Sequence, residues 1–113
     1  MPFDRPLPEV KAELFRALAH AARIRALEVL SEGPRSVGEL QPLVGIESSH
    51  LSQQLAVLRR AGLVTTDKQG ATVVYAIADP ELSVLLAAAR RLLINRLSET
   101  RAVLAGLLEE EAR

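Results

Sequence analysis

Leu7, Val10, Leu14 and Leu18 recur at three- and four-residue steps, the period of one buried helix stripe, and predict a first helix. Ile24, Leu27 and Leu30 carry the same period into a second, which Gly33-Pro34 ends. Ser36-Val37-Gly38-Glu39 has the spacing of a capping box, in which a serine oxygen and a glutamate carboxylate satisfy each other's backbone amides. It opens a short third helix through Leu40 and Leu43, stopped near Gly45; Pro42 lies inside it and predicts a bend or truncation. Ser48 to Ala61 forms a fourth helix with Leu51, Leu55 and Leu58 on its inner face and Gly62 beyond its end. The period then changes. Leu63–Thr66 and Thr72–Ile77 are rich in β-branched residues, and Asp67-Lys68-Gln69-Gly70 joins them as the turn of a two-stranded hairpin. Asp79-Pro80-Glu81 starts a long last helix, with a capping aspartate, a proline at the first position and an acidic first turn.

Two helices, a short helix, a tight turn, a longer helix, a hairpin and a closing helix define a mainly α fold. About five helices and a two-stranded wing make one winged helix–turn–helix domain over residues 1–113. Its core must come from Leu, Val and Ala, because only three of the 113 residues are aromatic. The chain has no cysteine, which removes disulfides, thiolate metal sites and a cysteine nucleophile together. It also lacks a phosphate-binding glycine loop and has two histidines, too few for a plausible triad, so no enzyme is expected. The opening Met1-Pro2-Phe3-Asp4-Arg5-Pro6 has no apolar leader core. The longest nearly apolar run, Leu82–Ala89, is far short of the roughly 20 residues that cross a bilayer. A cytoplasmic location without membrane contact is the default. Glu109-Glu110-Glu111 reads as a frayed, solvated helix end.

Net charge is zero, where a basic surplus is usual for DNA binding, but its distribution is uneven. Over residues 48–78, Arg59, Arg60 and Lys68 face Asp67 alone. On the fourth helix, if the three leucines point inward, Ser49, Gln53, Ala56 and Arg60 point outward, flanked by His50 and Ser52. Glutamine can pair bidentately with adenine, and serine can contact bases or phosphates. A polar outer face is also what any amphipathic helix shows. The difference is that Lys and Glu, the usual solvating residues, are absent from residues 48–61.

Three segments carry a family resemblance: Leu18-Ala19-His20-Ala21-Ala22-Arg23-Ile24-Arg25-Ala26-Leu27, the run from Ser49 to Val64, and Gly70-Ala71-Thr72-Val73-Val74-Tyr75. Over roughly residues 8–108 the chain resembles the ArsR/SmtB family of winged-helix regulators, most specifically at Leu55-Ala56-Val57-Leu58-Arg59-Arg60-Ala61-Gly62-Leu63-Val64. The resemblance implies a repressor that binds double-stranded promoter DNA as a homodimer at an inverted-repeat operator. Recognition helices of about residues 48–61 would enter successive major grooves, and wings of about 63–77 would touch the flanking backbone. Carried over to matching positions, the DNA contacts are Ser48, Ser49, His50, Ser52, Gln53 and Gln54, with Lys68 and Gln69 at the wing tip. Arg60 joins them from the helix pattern. Thr65, Thr66 and Ala71 stand where many members carry Arg or Lys, which implies a smaller contribution from the wing.

The same resemblance bears on sensing. The family's third-helix metal site uses cysteine, and the matching residue is Ser36, so no soft thiolate site forms. Its closing-helix site matches Asp79 and Glu81 at one end but Leu92 and Asn95 at the other, and leucine cannot ligate. No cofactor is predicted. A weak divalent-metal site of oxygen and imidazole ligands, nickel included, would draw on His20, Asp79 and Glu81. The remaining inputs are a small molecule at the dimer seam or a separate effector-sensing partner protein. The last helix, predicted over about 80–108, carries more leucine than one small core can cover. A dimer interface is therefore expected at Leu7, Leu14, Leu82, Leu86, Leu93, Leu97 and Leu104. The alternative reading is a winged-helix module for protein–protein contact or co-regulation, which would show a hydrophobic or acidic surface across the third and fourth helices.

Overall fold

Helix α1 (Leu7–Leu18) follows Pro6 and carries Pro8 in its first turn, where a missing N–H costs no intrahelical bond. In this computed structural model residues 5–113 are described; Met1 to Asp4, part of the opening stretch above, lie outside them. Only Leu18 of α1 is buried, while Val10 and Leu14 are half-covered and Leu7 and Phe15 are exposed. Arg5 pairs with Glu13 through both guanidinium nitrogens ahead of this face. Helix α2 (Ala21–Leu30) starts at His20, whose extended backbone and Nδ1 place an acceptor 3.1 Å from the Ala22 N–H. It buries Ala22, Ala26, Leu27, Val29 and Leu30, whereas Ile24, expected on the inner stripe, is exposed.

Residues Arg35–Ser36 form a two-residue strand, β1, that the sequence pattern did not announce. Helix α3 (Val37–Val44) then begins on the expected capping box: Glu39 N–H donates to Ser36 Oγ at 3.2 Å, and Ser36 N–H donates to Glu39 Oε1 at 3.0 Å. Pro42 sits inside α3 without ending it, and the helix runs to Gly45. The Arg25 Nε–H donates to Leu43 O at 3.1 Å, tying α2 to the end of α3. Helix α4 (Ser48–Arg60) follows after three residues and buries Leu51, Leu55 and Leu58 completely. Its end is a Schellman motif. Leu63 N–H reaches Leu58 O at 2.9 Å and Gly62 N–H reaches Arg59 O at 3.0 Å, with Gly62 at a φ of 76° that favours glycine.

Strands β2 (Val64–Gln69) and β3 (Thr72–Ile77) pair antiparallel from Val64↔Ile77 to Gln69↔Thr72. The turn is only Gly70-Ala71, with Gly70 at positive φ in the first position, as a tight hairpin needs. Asp67, Lys68 and Gln69 are therefore strand residues, not the turn expected of them. On its other edge β3 pairs with β1 through Arg35↔Tyr75 and Ser36↔Val74, so the expected two-stranded wing belongs to a three-stranded sheet in the order β1-β3-β2. The two residues of β1 are too few for any period to reveal.

Asp79 Oδ1 accepts from Glu81 N–H at 2.9 Å and caps helix α5 (Glu81–Ala112), which runs past its expected end near residue 108 and through all three terminal glutamates. The chain forms two compact units, one ending at Ser83 and one over Val84–Arg113. The first has an almost purely aliphatic core, with Leu27, Leu40, Leu51, Leu55 and Leu58 fully buried and no polar or charged residue buried among those described. Leu82 belongs to this core at 7% exposure. The second is the single helix from Val84 onward, exposed at every residue from Ala89 to Arg113.

Candidate DNA-reading surface

Three leucines seat α4. Each fully buried leucine is worth roughly 1.5–3 kcal/mol relative to exposure, enough to fix which side of the helix faces outward. That side carries Ser48, Ser49, His50, Ser52, Gln53, Arg59 and Arg60, all exposed. The serines and glutamine offer both donors and acceptors, and the two arginines close the helix at its C-terminal turn, where positive charge also suits the helix dipole. Ser49 Oγ–H donates to Glu47 Oε1 at 2.9 Å, which holds that hydroxyl at the head of the helix.

Gln54 departs from its expected place. Matched above to a DNA contact, it is half-buried, and its Oε1 is enclosed without a hydrogen-bond partner. The reason is in the spacing: residue 54 lies three after Leu51 and four before Leu58, on the buried stripe. Arg23 Nε on α2 is likewise enclosed and unpartnered. On the wing, Lys68 and Gln69 are exposed on the last residues of β2, opposite Val73 and Thr72. The Gln69 amide leans on Asp67 Oδ2 at 3.4 Å.

Two of the three residues considered for metal binding, His20 and Asp79, serve as caps, and Glu81 supplies the N–H that Asp79 accepts. His20 Nδ1 is taken by Ala22 N–H and Asp79 Oδ1 by Glu81 N–H. Among the described residues no three His, Cys, Asp or Glu side chains gather into a group that could hold an ion. Ser36, at the family's cysteine position, is spent on the α3 capping box. His20 does have an unforeseen neighbour. Its ring meets His50, in the first turn of α4, edge to face at a centroid distance of 5.8 Å. The two are thirty positions apart, and only the packing of α2 against α4 brings them together.

Of the expected dimer residues, Leu7, Leu93, Leu97 and Leu104 are exposed, and Leu14 and Leu86 are half-buried. Leu82 is spent in the core of its own chain and is unavailable to a partner. It follows Asp79 by one helical turn, so it packs inward with the cap.

A short helix, a tight turn, a second helix seated by leucines with a hydrogen-bonding outer face, and an adjoining hairpin make this a DNA-binding winged helix–turn–helix protein. Residues 20–66 match the family model described as bacterial regulatory protein, arsR family. The chain is 55% identical over 105 residues to the HTH-type transcriptional regulator Rv0081 of Mycobacterium tuberculosis, covering 92% of each chain. The crystal structure of M. tuberculosis Rv0081 superposes with a TM-score of 0.77, covering 85% of this chain and 97% of that one. A solution structure from Mycobacterium bovis, described as the homodimeric winged helix–turn–helix DNA-binding domain of a possible ArsR-family regulator, gives 0.74 at 27% identity, covering 82% of this chain and 86% of that one. The chain belongs to the arsR family of transcriptional regulators, which are not enzymes. No helix among the described residues is long and apolar enough to cross a membrane.

Proposed function

We propose that the protein represses transcription as a homodimer, reading an inverted-repeat operator with Ser49, Ser52 and Gln53 of each α4. The observation that carries this is the exposed, lysine- and glutamate-free face of α4, held outward by Leu51, Leu55 and Leu58. Arg59, Arg60 and Lys68 supply backbone contacts. The homodimer is supported by the uncovered apolar residues of α1 and α5, and the M. bovis relative is itself described as homodimeric. Two-fold symmetry then requires half-sites about 10 bp apart, or a multiple of that. The signal does not enter through a thiolate. With His20 and Asp79 occupied as caps, a separate partner protein, or no direct effector, is the reading favoured here.

The test is a mobility shift on the DNA upstream of the protein's own coding region, followed by titration of variants. Gln53→Ala costs about 1–3 kcal/mol per half-site if the amide reads adenine bidentately. Lys68→Ala weakens all sequences alike and flattens the salt dependence by about one unit. Unchanged operator affinity in Gln53→Ala removes that residue from the reading set, and no binding by the unaltered protein at low salt refutes the proposal.

A further inference from the structure

Two enclosed side-chain atoms lack a hydrogen-bond partner among the described residues, and they are complementary. The Nε–H of Arg23 on α2 is a donor, and the Oε1 of Gln54 on α4 is an acceptor. Their places in the two helices match. His20 at the head of α2 meets His50 in the first turn of α4 at a ring-centroid distance of 5.8 Å, so the two helices start side by side. Arg23 lies three residues after His20 and Gln54 four after His50, the steps that keep a residue on the same face one turn further on. Helices α2 and α4 pack against each other, and the buried residues flanking Arg23 are Ala22 and Ala26, small enough to let a neighbouring helix approach. None of the ion pairs among the described residues uses Arg23. A buried donor or acceptor left unpaired carries its full desolvation cost, and both side chains are long enough to turn toward one another.

We propose that Arg23 and Gln54 are a positioning pair: the Arg23 Nε–H donates to Gln54 Oε1, directly or across one water, and this bond sets the rotation of α4 from which Ser49, Ser52 and Gln53 read DNA. The inference rests on the DNA-reading proposal above and adds to it a residue of α2. Burial of Leu51, Leu55 and Leu58 is non-directional: it selects the inner side of α4 but tolerates a small roll about the helix axis. Reading does not tolerate it. With side chains about 5–6 Å from the axis, a roll of about 10° moves a reading atom by about 1 Å, and a hydrogen bond weakens steeply over such a shift. A directional bond between α2 and α4 removes that freedom. It also gives the adjacent glutamines different work. Gln54 spends its carbonyl on α2, while the exposed Gln53 keeps both amide atoms for a base edge.

The pair is tested first without DNA, by urea unfolding of the full chain at fixed protomer concentration. Arg23→Met and Gln54→Met each leave one partner enclosed and alone, and each lowers the midpoint. The double variant, with both partners replaced by apolar chains, lowers it by less than the sum. Additive shifts refute the pair. The second readout is sequence preference, the ratio of Kd for a scrambled duplex to Kd for the DNA upstream of the protein's own coding region. In each single variant this ratio falls about fivefold or more, the effect of one mismatched base pair. It stays low in the double variant, which regains stability without a directional bond. Gln54→Glu still accepts from Arg23 and keeps the ratio, whereas Arg23→Lys keeps the charge, loses the guanidinium donor and does not. A Gln54→Glu protein that loses the ratio means that residue 54 faces the bases. An Arg23→Met loss that is equal on all sequences and repaired by lysine means that Arg23 is a phosphate contact. Coupled urea shifts with an unchanged ratio mean a bond that supports the fold alone. Each of these three results overturns the inference while leaving the DNA-reading proposal intact; absence of DNA binding by the unaltered protein refutes both.

Discussion

The contact between His20 and His50 joins the start of α2 to the first turn of α4, and its strength can be measured. His20 does two things: its Nδ1 caps α2 through the Ala22 N–H, and its ring meets His50 edge to face at 5.8 Å. Losing a side-chain cap costs about 0.5–2 kcal/mol, and an aromatic pair of this geometry is worth about 0.5–1.5 kcal/mol beyond its area. His20→Ala therefore destabilises the fold by about 1–3 kcal/mol. His50→Ala removes only the ring contact and gains helix propensity of about 0.5 kcal/mol, so alone it can read as neutral and mislead. A cycle removes that ambiguity. His20→Asn keeps an acceptor at the cap while deleting the ring, and combining it with His50→Ala isolates the ring–ring coupling. Urea unfolding at about pH 8, above the ordinary histidine range, and at fixed protomer concentration should give a coupling of at least about 0.5 kcal/mol. A value within about 0.3 kcal/mol of zero means the rings are neighbours without mutual stabilisation, and the assigned coupling is wrong.

Two further outcomes follow from the caps and the ligand positions. The Glu39 carboxyl is held below the usual glutamate range, first by the Ser36 N–H, then by the Ser36 side chain and the nearby Arg35 charge. A depressed carboxyl favours the fold above its ordinary value and loses that contribution as pH falls through the folded value. The stability advantage over Glu39→Gln should accordingly hold near neutrality and shrink below about pH 4.5 in urea midpoints; a gap constant with pH refutes it. Zinc, nickel or cobalt titrated into operator-bound protein should change affinity less than about tenfold, roughly 1.4 kcal/mol. A larger effect abolished by Ala at His20, Asp79 or Glu81 would overturn the effector reading.

Most of the first unit was legible because its signals are local. A capping box, a leucine stripe with a glycine behind it, and an Asp-Pro-Glu start each fix a boundary through neighbouring residues, and α3, α4 and α5 begin where those signals stand. Non-local features were not legible. Strand β1 exists because Tyr75 and Val74 offer it an edge, and the two histidines meet because α2 packs on α4. The hairpin turn lies at Gly70-Ala71 and not at 67–70, since Asp67, Lys68 and Gln69 look like turn residues and only pairing with Val74, Val73 and Thr72 makes them strand. Gln54 differs in kind. The helical period that puts Leu51 and Leu58 in the interior also places residue 54 between them, so its half-burial is legible from geometry although the resemblance matches it to a DNA contact. Leu82 and Ile24 show that a leucine or isoleucine does not declare its side. Leu82 fills its own core where a dimer contact is expected, and Ile24 is exposed where the inner stripe of α2 is expected.

Zero net charge has a consequence for how such a protein finds its DNA. Non-specific affinity comes almost wholly from phosphates neutralised by Lys and Arg. The proposed reading side of each chain offers only Arg59, Arg60 and Lys68 as basic side chains among the exposed residues of α4 and the wing, with Asp67 and Glu47 close by in sequence. Such a surface gains little from sliding contacts and leaves more of the binding free energy to base edges, where serine and glutamine act only if held in register. Register is what the leucine seat supplies. Ser49, Ser52 and Gln53 project from a helix whose opposite side is fully buried at three positions and whose far end is locked by the Gly62 motif. The neutral composition and the rigid, amide-bearing helix are thus parts of one arrangement: where charge cannot compensate for imprecise docking, the scaffold beneath the reading face must limit it.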